Sequence, residues 1–536
     1  MSANWVLYNG LIRTLDARRP LASGLVISGE RIVAVGDAEL RQHADAGGKA
    51  INLGGRLVIP GLIDAHVHLE HFSHSLRMVD LFNTRSAEEA VARVAARAAH
   101  TPPGQWLRGW GWVQELWPGR QFPNAARLDA AVPDHPVCLV AQSGHAAWVN
   151  SRALLEAGIS AETPDPPGGR IARDEHGQPN GILFEDAIQL VEGVIPAPSL
   201  AELSAMLREA LAVANRAGVT GVHDFDGARC FQALQMLHAA GALSVRVLKN
   251  IPVKLLEHAL ELGLRWGFGD DFLRIGGVKM FADGALGSRT ASMLEPFEGE
   301  ADNYGIVVTD KEQLLEDVRR ASQAGLPSAI HAIGDRALRE VLDVYQRVRA
   351  EEAGWGLSPE QRRHRIEHVQ LIHPDDGARL GQLHIIASMQ PVHITSDMGI
   401  ADQGWGDRAD YSYNWRLQLE AGAPVAFGSD VPVEPINPMY GIHAAVTRRR
   451  RDGYPGPEGW RSGRNRRLSV EEAVRGFTSG AAYAAGLEDR LGRLAPGYLA
   501  DLVILDRDIF RIDPMEIHLA KPVGVMVGGR WVVREV

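Results

Sequence analysis

Apolar positions along this chain follow two periods. Short runs of alternating or continuous apolar residues mark strands, and runs spaced i, i+3, i+4 mark helices. Eight strand-like runs recur at 58–69, 219–225, 245–248, 273–281, 328–333, 365–369, 385–390 and 425–430. Helical patterns fall between most of them, at 200–217, 312–324, 336–350 and 471–485. Repeated strand–helix units predict parallel strands with right-handed crossovers, and eight such units close into a (β/α)8 TIM barrel of the α/β class. The rival arrangement is an open doubly wound sheet. It would call for a glycine-rich nucleotide turn after the first strand, and none is present.

The two ends read differently. Runs at 5–8, 24–27 and 31–35 and again at 501–505, 524–527 and 531–533 are short and β-like, with Gly528-Gly529 as a hairpin signal. The pattern predicts a small β-sandwich built from both ends, residues 1–57 and 485–536, around a barrel over 58–484. One segment breaks the rhythm. Residues 70–199 separate the first strand from the second and carry Trp106, Trp110, Trp112, Trp117 and Trp148 with a Pro/Gly-rich patch at 164–169. Insertions after barrel strands gather over the C-terminal face, so an inserted cap subdomain is expected there. Its tryptophans either shape a partly apolar pocket, with Trp112 as a substrate contact, or pack among themselves.

Composition narrows the class. The chain has 536 residues, 45% apolar and 23% charged, as ordinary globular proteins do. A net charge of −10 argues against a general nucleic-acid binder, and the basic runs 448–451 and 464–467 read as solvated surface. Two cysteines, Cys138 and Cys230, make no disulfide framework and point to a reducing compartment. The N-terminal stretch has no secretory pattern, and no apolar run of about 18 residues is present for a membrane span. The expectation is a cytoplasmic protein acting on a small molecule, with no nucleic-acid or membrane partner and a homodimer as the default assembly.

The chemistry gathers at strand ends. The first strand closes on Asp64-Ala65-His66-Val67-His68, and residues two apart on a strand share a face, so His66 and His68 project together. Reading the other C-terminal strand ends adds Lys279, His331, His368 and Asp430. A lysine and an aspartate inside apolar strands are costly unless paired or bound to metal. Four imidazoles, an amine and a carboxylate facing one mouth therefore predict a metal centre.

With that set in hand, the chain resembles the amidohydrolase superfamily of metal-dependent hydrolases, in the branch that includes N-substituted formamide deformylase. The resemblance is carried by PGLIDAHVHL (60–69), GHAAWVNS (144–151), GRIARDEHGQPNGILFEDA (169–187), VKMFADGALGSRTA (278–291), HAIGDRA (331–337), RIEHVQ (365–370), SMQPVH (388–393), FGSDVPV (427–433) and LGRLAPGYLADLVILD (491–506). It implies that His66, His68 and Asp430 hold one ion, and His331 and His368 a second. Lys279 matches the position where many members carry a metal-bridging carbamate. The alternative is a free Lys279 paired with a neighbour such as Asp283, with one ion bound. Zinc suits mixed nitrogen and oxygen ligands, with other divalent transition ions open. The implied reaction is metal-assisted hydrolysis of an amide-type C–N bond, with Asp430 as general base and acid. Ester hydrolysis, deamination or decarboxylation at the same centre, or a non-catalytic scaffold, stay open at this point. His145 is a candidate substrate or oxyanion donor, and Arg289 and Glu185 are candidate substrate contacts. Each of these three has a structural alternative.

Overall fold

The computed structural model describes residues 4–45, 48–141, 144–461 and 466–536; Arg464 of the second basic run lies outside them. Eight parallel strands form one sheet in chain order: β1 (Leu62–Val67), β2 (Val219–Asp224), β3 (Arg246–Pro252), β4 (Leu273–Phe281), β5 (Ser328–Ala332), β6 (Arg365–His368), β7 (Ile386–Met389) and β8 (Val425–Phe427). The sheet closes just past the end of β8. Val67 bridges Val431 in parallel. The Asp430 N–H donates to His66 O at 2.8 Å, and the His68 N–H donates to Val431 O at 2.9 Å. The result is a TIM-like α/β barrel.

The helices between strands bury one stripe each. The helix Asp335–Gly354 turns Leu338, Val341, Leu342, Tyr345 and Val348 onto the barrel, the spacing a helix needs for one apolar face. The helix Lys311–Gln323 starts at Asp310, whose carboxylate accepts from the backbone N–H of Glu312 and Gln313.

Two elements differ from the sequence expectation. The run at 471–485 is not one helix. It is Val470–Arg475, a π-turn at Gly476–Gly480, and Ala481–Ala484. Gly476 and Gly480 lie directly on β8, where a methyl group would overlap Phe427 and Val425, so the helix widens where its backbone meets the strand. The last strand is also shorter than its apolar run. It ends at Phe427; beyond it the Gly428 N–H still donates to Met389 O at 3.1 Å, and the chain then crosses to β1 at Asp430.

Both chain ends contribute to one six-stranded sheet. Leu21–Ala22, Leu11–Arg13 and Leu57–Pro60 from the start adjoin Leu502–Leu505, Pro522–Val527 and Arg530–Arg534 from the end. The last two form a hairpin through Gly528 and Gly529, both at positive φ. A four-stranded sheet, Arg31–Gly36, Gly24–Ser28, Trp5–Tyr8 and Lys49–Asn52, shares a core with it through Leu7, Leu25, Ile27, Val58, Leu502, Ile504 and Met526.

Residues Ser73–Ser199 form a compact unit of their own. It contains a six-stranded mixed sheet flanked by helices such as Ala87–Ala98 and Ala125–Ala131. The expectation for Trp112 needs correction. Trp112 has no exposed surface, and its Nε1–H donates to Leu139 O at 2.8 Å. Its ring packs against Trp117 and Trp148, so it belongs to this unit's core and presents no face to a substrate. No helix of the described residues is long and apolar enough to cross a membrane.

Candidate metal centre

His66 and His68 leave the end of β1 on one face, and Asp430 approaches from the turn after β8. The Nε2 atoms of both histidines lie 3.5 Å from Asp430 Oδ1. The two rings keep this aim because their other nitrogens are taken. His66 Nδ1–H donates to Glu367 Oε2 at 2.7 Å, and His68 Nδ1–H to Asp226 Oδ1 at 3.0 Å. A carboxylate on one imidazole nitrogen fixes the tautomer and turns the other nitrogen's lone pair toward the centre. Glu367 is itself paired with Arg365 in the barrel interior, and Phe225 stacks on His66 at 4.2 Å.

His331 and His368 sit side by side, with ring centroids 4.6 Å apart, and the His66 ring lies 5.0 Å from that of His368. His331 Nε2–H donates to Gly284 O at 2.9 Å, which leaves its Nδ1 unengaged. His368 Nδ1–H donates to Gln390 Oε1 at 2.8 Å. All of these histidines, with Lys279 and Asp430, line one pocket of about 410 Å³ whose other walls include Phe281, Leu286, Ile333, Gln370, His393 and Val433. The six side chains picked out at separate strand ends therefore do meet. Two stand in unusual backbone: His368 has φ of 77° and Asp430 of 63°. Left-handed backbone in non-glycine residues is uncommon and clusters at functional sites.

Burial sets the charges. It holds His66 and His368 well below the ordinary imidazole range, and with help from Lys279 it brings His331 down to about 4. Neutral imidazoles keep the lone pairs that a metal needs. His68 is the exception. Burial lowers it, but Asp226 and Asp430 outweigh that and raise it to about 9. Burial also pushes against the Asp430 carboxylate, yet the surrounding histidines hold it ionised, well below the usual range.

Lys279 is 3% exposed, with its ammonium over the Phe225 and Phe281 rings. Burial lowers its pKa to about 8. The suggested pairing with Asp283 does not form. Asp283 instead accepts the backbone N–H groups of Ser292, Ile333 and Gly334 at 2.8–3.0 Å.

The remaining candidates have partners of their own. Arg289 is ion-paired with Glu300 in the loop after β4 and is not among the residues lining the pocket. His145 and Glu185 pair with each other at 2.9 Å within the inserted unit, both largely exposed. Sequence reasoning missed Asp226, Glu367, Gln370, Gln390 and His393. The last four sit inside motifs already marked by RIEHVQ and SMQPVH, so adjacency to a ligand was the available signal.

The donor set fits a divalent transition ion. One histidine pair and a carboxylate oxygen converge with all ligand atoms within 4.8 Å of one another. A parallel barrel with such donors at the C-terminal strand ends places a candidate metal site where barrel active sites form. The chain belongs to the amidohydrolase family, whose model matches residues 49–533. It is 36% identical to Protein LONG AFTER FAR-RED 3 of Arabidopsis thaliana, over 97% of this chain and 91% of that protein. It is 29% identical to N-substituted formamide deformylase of Arthrobacter pascens, over 94% of this chain and 93% of that one. Among solved structures it matches an uncharacterized metal-dependent hydrolase from Pyrococcus furiosus with a TM-score of 0.78 at 32% identity, covering 95% of this chain and 100% of the other.

Proposed function

We propose that this protein hydrolyses a C–N bond in an N-acyl or N-formyl small molecule. His66, His68 and Asp430 would hold one divalent ion, zinc by donor chemistry, and His331 and His368 a second, with Lys279 between them. When bound, such an ion supplies Lewis acidity, lowering the pKa of water toward about 7 and polarising a carbonyl. Asp430 takes the proton of the attacking water and returns it to the leaving nitrogen. Glu367 and Asp226 keep His66 and His68 turned inward through that exchange. Lys279 has the features of a carbamate former. It is buried and aimed at the pocket, and its pKa of about 8 leaves a share of neutral amine near neutrality. Attack of that amine on CO2 with loss of one proton gives a two-oxygen ligand.

The observation that carries the reading is the position of Asp430. It is the one carboxylate lining the pocket that lies 3.5 Å from both β1 histidines, and this supports reading it as the general base. The name of the Arthrobacter pascens relative supports a formamide-type bond. The test is an assay of purified, metal-analysed protein against N-formyl and N-acyl compounds, esters and aminated heterocycles. Turnover confined to the first group is expected. The D430N variant is expected to lose activity by about 10²–10⁴-fold while keeping most of its metal. Full activity in D430N removes Asp430 from the mechanism.

A further inference from the structure

We propose that His393 is a further catalytic residue of this site. Its Nε2–H meets the carbonyl oxygen of the substrate, and Gln370 is the positioning residue that fixes that tautomer. The proposal rests on the hydrolase reading above and adds a residue to it.

His393 closes the short turn Pro391–His393 that follows β7 and leads into the helix Ile394–Trp405. It is 6% exposed and lines the pocket. Its Nε2 has no hydrogen-bond partner and lies 3.6 Å from Asp430 Oδ2. A buried polar nitrogen left without a partner is unfavourable. Kept bare beside the reacting carboxylate, it marks a place for a partner that arrives with the substrate.

The ring is held from behind. Gln370 Nε2–H donates to His393 Nδ1 at 3.3 Å, and the Gln370 backbone carbonyl is fixed by the Tyr413 N–H at 2.7 Å. With Nδ1 accepting from the Gln370 amide, the ring's N–H is the one on Nε2. That nitrogen donates and does not ligate, although His368, His393 and Asp430 also converge within 4.8 Å. The ring is nearly parallel to that of His368, at 14° and 6.1 Å.

Asp430 thus divides its oxygens. Oδ1 faces His66 and His68, and Oδ2 faces His393. An acyl carbon attacked by water deprotonated at Asp430 has its oxygen within reach of the His393 N–H. Besides the histidines, the side-chain donors lining the pocket are Lys279, Gln370 and Ser396; Gln370 donates to His393 and the Ser396 hydroxyl to Glu434, while Phe281, Leu286, Ile333 and Val433 carry none. A donor aimed at the developing oxyanion is worth about 10²–10³ in kcat.

The test combines neutron diffraction of the metal-loaded holoenzyme with kinetics on an N-formyl and N-acyl panel. Deuterium on Nε2 of His393 and none on Nδ1 is expected; deuterium on Nδ1 alone overturns the proposal. The H393F variant should keep the wild-type metal content and a KM within a few-fold, and lose kcat by about 10²–10³-fold. The H393Q variant, which restores an N–H, should recover at least about tenfold of that loss. The Q370L variant should lower kcat with metal content unchanged. Metal lost from H393F together with activity makes His393 a ligand and overturns the proposal. Wild-type kcat in H393F does the same while leaving the hydrolase reading intact. A wild-type enzyme that turns over no member of the panel removes both.

Discussion

Lys279 shows how much one buried side chain can decide. An amine 3% exposed, whose pKa burial lowers to about 8, has a larger share of neutral, nucleophilic form near neutrality than a surface lysine. The K279A variant should bind one metal equivalent fewer by elemental analysis, and an added short carboxylate should restore both the metal and some turnover. Unchanged stoichiometry would refute the carbamate. Two of the pocket histidines were legible because a strand has period two: His66 and His68 share a face, while His331, His368 and Asp430 were read from their places at or just past strand ends. Glu367 escaped that logic. It adjoins His368, and alternation sends neighbours to opposite faces. Here φ of 77° at His368 turns its side chain back into the barrel, so that Glu367 serves His66 while His368 lines the pocket. Asp226 and His393 lie past the ends of β2 and β7, where no period applies.

Among the elements, β8 is tightly constrained at its exit. Its exit glycine, Gly428, lies against β1, where an added methyl would sit 2.5 Å from the His66 nitrogen and 2.7 Å from Asp64 Oδ1. The G428A variant should push the Asp430 turn away from the β1 histidines. It should cost about 1–3 kcal/mol in stability and weaken metal binding, as read by a thermal midpoint and a metal titration. Unaltered metal affinity would show that the turn tolerates displacement. The strands were legible from apolar runs, but the π-turn was not. Nothing in the spacing of 471–485 tells whether Gly476 and Gly480 pack on a strand or face water.

The helix Asp335–Gly354 is tied to β5 and β6 by a buried polar chain. The Ser328 N–H donates to His364 Nδ1 at 3.0 Å, and His364 Nε2–H donates to Glu352 Oε1 at 2.8 Å. Burial raises the Glu352 pKa, but His364, Ser322 and Arg349 outweigh it and hold the carboxyl at about 2, below its ordinary 4.5. A depressed carboxylate contributes stability above its unfolded pKa and loses it as pH falls toward the folded value. The E352Q variant should therefore be less stable than wild type at pH 7, with the difference narrowing below about pH 4.5 in urea titrations across that range. A gap independent of pH would assign the effect to packing alone.

At the scale of the whole molecule, the barrel seam and the metal donors coincide. The first and last strands meet through the Val67–Val431 bridge with its two backbone hydrogen bonds and through the Ser429 N–H, which donates to Asp64 Oδ1 at 2.9 Å. The same junction supplies His66 and His68 from one side and Asp430 from the other. An ion held across it acts as a clasp between distant parts of the chain, and closing a long loop by such a link constrains the unfolded chain most. Binding confined to the folded state adds about 2.7 kcal/mol when free ion is a hundredfold above Kd. Chelation should therefore lower the unfolding midpoint, and its local signature should lie at the seam. The amides of His68 and Asp430, both hydrogen-bonded across the junction, should exchange faster in the chelated protein, while those of the β5–β6 pairing stay protected. Hydrogen-exchange mass spectrometry with and without chelator reads this directly. Equal protection in both states would mean that the barrel closes without help from an ion and that the donors serve chemistry alone.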